Sequence, residues 1–210
     1  LVDNAATYWQ GEWSSGFCHR NRRKEAAWNQ RLDRRFRPIR GRRISLLFQD
    51  ARGSLSPYHT LREQVARNHS LNGDGVRDAY EVADGWLDSV SMYRYRHSYP
   101  HTLSGGQAQR AAIAVSMATD SSLIIADEPT TGLDASLRRE IVDLMVTMAK
   151  KNGRTLLLIS HDLAIVGYAS DRVGVMYRGR LCEVMDDVAR GVHGVHPYSR
   201  ELLATIEEKM

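Results

Sequence analysis

From Arg43 onward, short apolar runs alternate with longer stretches of helical spacing. Ile44-Ser45-Leu46-Leu47-Phe48 predicts a strand that runs into Gln49-Asp50. Ser54-Leu55-Ser56-Pro57 predicts a turn. Thr60 then caps a helix starting at Leu61, with Glu63 in its first turn. Asn72-Gly73-Asp74-Gly75 predicts a loop, and 76–90 a helix with Val82, Trp86 and Val90 on one stripe. Ser104-Gly105-Gly106 predicts a tight turn feeding a helix over 107–118, rich in Ala and Ile. Leu123-Ile124-Ile125-Ala126 predicts a short buried strand ending at Asp127 and Glu128. A long helix is expected over 135–151, with Leu137, Ile141, Leu144 and Met148 facing a core and Asn152-Gly153 ending it. A second buried strand over 155–159 runs into Ser160-His161-Asp162. Residues 172–177 and 180–184, joined by Arg178-Gly179, predict a β-hairpin. Pro197 opens a last helix.

The first forty residues break this order. They hold three of the four Trp residues and show neither strand alternation nor a good helical stripe. Ten Arg and one Lys lie between Arg20 and Arg43. The net charge of +4 is therefore concentrated there, and the rest of the chain is net acidic, which argues against a basic nucleic-acid-binding face on the main domain. The pattern sets residues 1–42 apart from a domain at 43–210. Within that domain a helical lobe is expected at about 60–118 and a tail at about 193–210. The 210 residues suffice for one domain with a full core. Two Cys, Cys18 and Cys182, make no disulfide framework and suit a reducing compartment. No apolar run approaches the ~18 residues that a membrane helix needs.

The chemistry concentrates between Pro100 and Asp134. A Ser-Gly-Gly turn opening a helix presents free backbone N–H groups at the positive end of the helix dipole, a site suited to phosphate. Acids at the carboxyl end of a buried parallel strand sit where α/β sheets bind ligands. One acid can hold Mg²⁺ and the other can polarise a water. Phosphate, metal and water together point to nucleotide hydrolysis.

At these residues the chain resembles the ATP-binding subunits of ABC transporters. Leu103-Ser104-Gly105-Gly106-Gln107 resembles the family signature, Leu123 to Asp127 the Walker B strand, Glu128 the catalytic glutamate and Gly132-Leu133-Asp134 the D-loop. In register with these, Gln49 resembles the Q-loop glutamine and His161 the switch histidine. The end of the chain, His196-Pro197-Tyr198-Ser199-Arg200-Glu201, is similar to the oligopeptide, dipeptide and nickel importer branch. The resemblance implies a P-loop NTPase-type α/β fold with a parallel sheet and a helical signature lobe. It implies ATP and Mg²⁺ as cofactors, with Asp127 and Gln49 on the metal and Glu128 and His161 catalytic. Ser104, Gly105, Gly106, Gln107 and Asp134 would serve the nucleotide of a second ATPase subunit in a homo- or heterodimer. Membrane-spanning permease subunits would be partners at the cytoplasmic face of the cell membrane, with no nucleic acid expected.

One motif departs from the pattern. The phosphate loop of such proteins reads G-x-x-x-x-G-K-S/T. Here Gly11 and Gly16 have that spacing, but Phe17 and Cys18 stand where Lys and a hydroxyl belong. The departure leaves two alternatives open: a degenerate, non-catalytic subunit completing a partner's site, or a soluble ABC protein acting on nucleic acid or ribosomes. It also raises the expectation that residues 1–38 are read in another frame or re-joined, with no native fold.

Overall fold

The computed structural model describes residues 39, 41–70, 76–186 and 194–207, all within the compact unit Ile39–Met210. Three strands build its sheet: β1 (Ile44–Leu47), β2 (Leu123–Asp127) and β3 (Thr155–Ile159). They are parallel and lie in chain order. Leu46 pairs with Ile125 and Ile125 with Leu157, so strands far apart in sequence are locked in one register. A separate antiparallel hairpin joins β4 (Arg172–Tyr177) to β5 (Arg180–Asp186) through Arg178 and Gly179, both at positive φ, as a two-residue hairpin turn requires.

The helices are α1 (Ala51–Ser54), α2 (Leu61–Ser70), α3 (Val76–Ser89), α4 (Gly105–Met117), α5 (Ala135–Lys151), α6 (Leu163–Ala169) and α7 (Pro197–Glu207). α2 starts at the expected residue because Thr60 and Glu63 satisfy one another. The Thr60 N–H and hydroxyl donate to Glu63 Oε2 at 2.8 and 3.0 Å. α4 begins two residues earlier than the pattern predicts. Ser104 caps it, so the glycine pair belongs to the first helical turn rather than to a preceding loop. On α3 the expected stripe of Val82, Trp86 and Val90 is only partly right. The buried face is Ala79, Ala83, Leu87 and Val90, and the small alanines let α2 approach closely. Arg62 on α2 grips Asp84 on α3 with two bonds of 2.7 and 2.6 Å. The loop expected at 72–75 lies outside the described residues.

Among the described residues, helices cover one face of the sheet. Leu47, Ile124 and Ala126 are buried in the main core together with Ile113 and Met117 of α4 and Ile141, Val142 and Met145 of α5. On the opposite face Leu46, Leu157 and Ile159 are 45%, 48% and 46% exposed. The expectation that 155–159 is a buried strand is therefore corrected to a half-covered one. The continuous apolar run is right for a strand buried on both sides, but among the described residues helices pack on only one. Val173, Val175 and Met185 of the hairpin form a second small core with Val166, Tyr198, Leu202 and Leu203. Among the described residues, no helix is long and apolar enough to cross a membrane.

Candidate functional site at the carboxyl ends of the strands

Parallel strands carry all their carboxyl ends to one side, and each strand of this sheet delivers a polar residue there. Gln49 lies two residues beyond β1 and is exposed. Asp127 is the last residue of β2, exposed, and Glu128 follows it. His161 lies two residues beyond β3. Because Asp127 pairs with Ile159, the loops after β2 and β3 emerge side by side.

Glu128 is the best-held of the four. Its backbone takes φ of 47°, a left-handed conformation that costs an L residue with a Cβ about 1–2 kcal/mol. The Glu128 N–H donates to the Ile159 carbonyl at 2.9 Å, which extends the β2–β3 ladder through this strained residue. The side chain then turns toward the β3 loop. Oε1 accepts from the His161 backbone N–H at 3.0 Å and lies 2.7 Å from His161 Nδ1. A carboxylate can only accept, so Nδ1 donates and Nε2 is left outward. The imidazole is 79% exposed while the Glu128 side chain is 21% exposed. The Thr131 hydroxyl donates to Oε2 at the long distance of 3.4 Å. A strained backbone, a fixed carboxylate and an exposed imidazole nitrogen describe a group positioned for a reactant.

Ser104, Gly105, Gly106 and Gln107 form a second locus at the amino end of α4. Ser104 Oγ accepts from the Gln107 N–H at 3.3 Å, and Gln107 Oε1 accepts from the Ser104 N–H at 2.9 Å. This reciprocal cap uses two of the end's N–H groups and leaves those of Gly105 and Gly106 for another acceptor. Gly106 packs on Leu137, close enough that a Cβ there would come within 2.8 Å of Leu137 Cδ2. The amino ends of α4 and α5 thus lie together. Asp134 caps α5, accepting from the Leu137 N–H and the Ser136 hydroxyl at 2.9 Å each. These bonds, the Leu137 N–H first, hold its carboxyl below the usual range. The Arg52 guanidinium of α1 donates to the Leu103 carbonyl, which ties the segment after Gln49 to the start of this locus.

Two residues that sequence reasoning passed over support the site. Asp162 caps α6, accepting from the Ile165 N–H at 3.3 Å, and Arg138 of α5 donates to its Oδ2 at 3.0 Å. Together they anchor the loop that carries His161. An Asp following His at a strand end, placed before a helix, is the N-cap signal that could have found Asp162. Gly11 and Gly16 lie outside the described residues. Among the described residues no group of three or more His, Cys, Asp or Glu forms a metal cluster. The metal donors expected at the strand ends are the Asp127 carboxylate and the Gln49 amide oxygen.

Comparison with known proteins gives the family. The model of the ABC transporter family matches residues 20–131. The match begins inside the segment that the sequence pattern sets apart. The oligopeptide transport ATP-binding protein OppF of Bacillus subtilis is 37% identical over 79% of this chain and 55% of its own length. OppF of Streptococcus mutans is 38% identical over 80% of this chain and 55% of its own length. The chain thus spans about half the length of the curated relatives it matches. Among solved structures, the ATP-binding cassette MJ0796, a dimer in a post-hydrolysis state bound to ADP and Pi, superposes with a TM-score of 0.64 at 26% identity, covering 73% of this chain and 67% of that one. The cbiO1 protein of Clostridium perfringens, part of an ABC transporter complex, gives 0.63 at 30% identity, covering 70% and 58%. A parallel sheet with Glu128 and His161 paired at its carboxyl edge, a capped signature helix and this span of matches lead to one conclusion: the chain belongs to the ABC transporter family.

Proposed function

We propose that this chain belongs to the ATP-hydrolysing subunit of a peptide importer, working as a dimer with membrane-spanning subunits at the cytoplasmic face of the membrane. The peptide specificity is supported by the names of its relatives, several of which are oligopeptide transport proteins. The dimer is supported by the dimeric form of its structural relative. The observation that carries the hydrolytic reading is Glu128, held in a strained backbone with its carboxylate fixed by His161 at 2.7 and 3.0 Å.

Mg²⁺ fits the donors present. It takes one or two carboxylates and fills its shell with phosphate oxygens and water, and Asp127 with the Gln49 amide oxygen would hold it in that way. When bound, it neutralises charge on the phosphates. The chain's own residues do the rest. Glu128 orients a water through Oε2, on which the Thr131 hydroxyl makes only a long contact, while the two His161 donors on Oε1 set the carboxylate in place. With Nδ1 donating to Glu128, His161 Nε2 donates to a phosphate oxygen in the doubly protonated ring. The free N–H groups of Gly105 and Gly106 and the dipole of α4 bind the phosphates of a partner's nucleotide. Asp134 keeps the neighbouring helix end in position.

A second reading is favoured by one observation, Phe17 and Cys18 in place of the phosphate-loop Lys and hydroxyl. In that reading the chain is a non-catalytic subunit whose signature completes a sister's site. The test uses a version in which G-x-x-x-x-G-K-S/T precedes Ile44. Its Glu128→Gln variant is expected to lose about 10²–10⁴-fold in phosphate release while accumulating an ATP-bound dimer in light scattering. Unchanged turnover in that variant would remove Glu128 from the mechanism.

A further inference from the structure

The strand-end site lies at the carboxyl end of the sheet. Toward the other end, where α5 stops ahead of β3, a cleft of about 300 Å³ opens between α3 and the last turn of α5. Its floor is apolar, with Val82 and Trp86 of α3 facing Met148 of α5. The indole is braced from the body of the domain. The Arg154 guanidinium carbon lies 5.5 Å from the centre of the Trp86 ring, and Arg154 donates to the Met117 carbonyl at 2.7 Å. A cation over an aromatic ring is attracted to it, so the ring keeps its place without filling the cleft.

Gly85 stands beside Trp86 in the same lining. Glycine is among the poorest helix formers, yet this one lies inside α3. A Cβ built on it would meet nothing within 4 Å, so no close neighbour among the described residues requires glycine there. What the missing side chain does is widen the cleft next to the indole. At the rim, Lys150 and Lys151 both suit the negative end of the α5 dipole, but only Lys151 lines the cleft. Lys151 is exposed and is the one charged side chain of that lining. Among the described residues no carboxylate bonds it.

We propose that this cleft binds a small aromatic carboxylate, its ring on Trp86 over Gly85 and its carboxylate on the Lys151 ammonium. The volume is at the small end of ligand sites, room for one or two rings but not for a helix or a strand. A fixed indole beside a side-chain-free stretch of helix favours a flat apolar body, because aromatic rings gain from offset or edge contact beyond the area they bury. One ammonium and no acid in the lining select an anion, and a single cation matches a carboxylate better than a phosphate.

The test titrates naphthoate into the full 210-residue chain and follows the Trp86 indole N–H resonance, identified by its loss in Trp86→Phe. A saturable shift is expected, with a Kd at or below about 1 mM, the affinity that a ligand of this size supports. Gly85→Leu puts a side chain into the open space and favours the helix, so it should abolish the shift while the chain stays folded. Lys151→Met should weaken naphthoate by about 5–10-fold. Uncharged naphthamide, which keeps the ring, should bind the chain and Lys151→Met alike. No saturable shift in the unaltered chain, or a shift that survives Gly85→Leu, overturns the cleft as the site. Naphthoate binding that is indifferent to Lys151→Met overturns the carboxylate as its ligand.

Discussion

At the scale of single residues, the backbone of Glu128 separates geometry from chemistry. Its φ of 47° is tolerated only because the Ile159 carbonyl and His161 hold the residue from both sides. Glycine adopts this conformation freely and alanine does not, while both remove the carboxylate. Glu128→Gly is therefore expected to be more stable than Glu128→Ala by about 1 kcal/mol, read from urea unfolding midpoints at unchanged slope. Equal stability of the two would show that the residue is not strained. The Arg62–Asp84 pair is a second residue-scale case. It is bidentate and partly screened by Tyr80, whose ring lies 5.0 Å from the Arg62 guanidinium carbon. Asp84→Ala should cost about 1–2 kcal/mol, more than an exposed pair. The positions of Gln49, Asp127, Glu128 and His161 at the strand ends were legible in sequence because each lies within two residues of an apolar run. The Glu128–His161 contact was not legible, since it depends on a positive φ and on the β2–β3 register, neither of which a local pattern encodes.

At the scale of elements, helix starts were read well where a side chain announces them and poorly where small residues do the work. Thr60 with Glu63 marked α2, and the Asn152-Gly153 stop marked the end of α5, with Gly153 at φ of 62°. The start of α4 was misplaced because glycine is weighted as a turn former, whereas the reciprocal Ser104–Gln107 cap keeps both glycines helical. The face of α3 was misread because alanine carries little weight in an apolar stripe, although Ala79 and Ala83 are fully buried. Two predictions belong here. Leu87, also fully buried on that face, should lose about 2–5 kcal/mol on change to Ala, read from thermal or urea unfolding. The caps make the chain acid-sensitive. Glu63 is held below its ordinary range by the Thr60 N–H and hydroxyl, and Asp134 by the Leu137 N–H and the Ser136 hydroxyl. A carboxyl depressed in the folded state stabilises above its unfolded value and loses that contribution as pH falls through the folded one. Stability should therefore decline below about pH 5. The double variant Glu63→Gln, Asp134→Asn should show a shallower decline in unfolding midpoint between pH 5 and pH 3, and an identical decline would count against the caps as its source.

At the scale of the whole molecule, the chain gathers polar residues at the strand ends of a sheet whose one face is half exposed. The parallel order β1–β2–β3 and the hairpin could be anticipated from apolar runs. The bare face could not, because a run such as Leu156-Leu157-Leu158 reads the same whether or not a helix lies over it. The expectation that residues 1–38 are read in another frame has a direct check in the coding DNA. One of the other two frames upstream of Arg43 should encode G-x-x-x-x-G-K-S/T. If neither does, the non-catalytic subunit moves ahead. The central claim is tested most directly by titrating Mg-ATP by calorimetry into the 210-residue chain and into a version whose first 38 residues are replaced by a strand, that loop and a helix. The chain as it stands is expected to bind at least 10–100-fold more weakly than the loop-bearing version, for want of a charge-assisted phosphate contact worth about 1.5–3 kcal/mol. Micromolar binding by the chain as it stands, equal to that of the loop-bearing version, would contradict this.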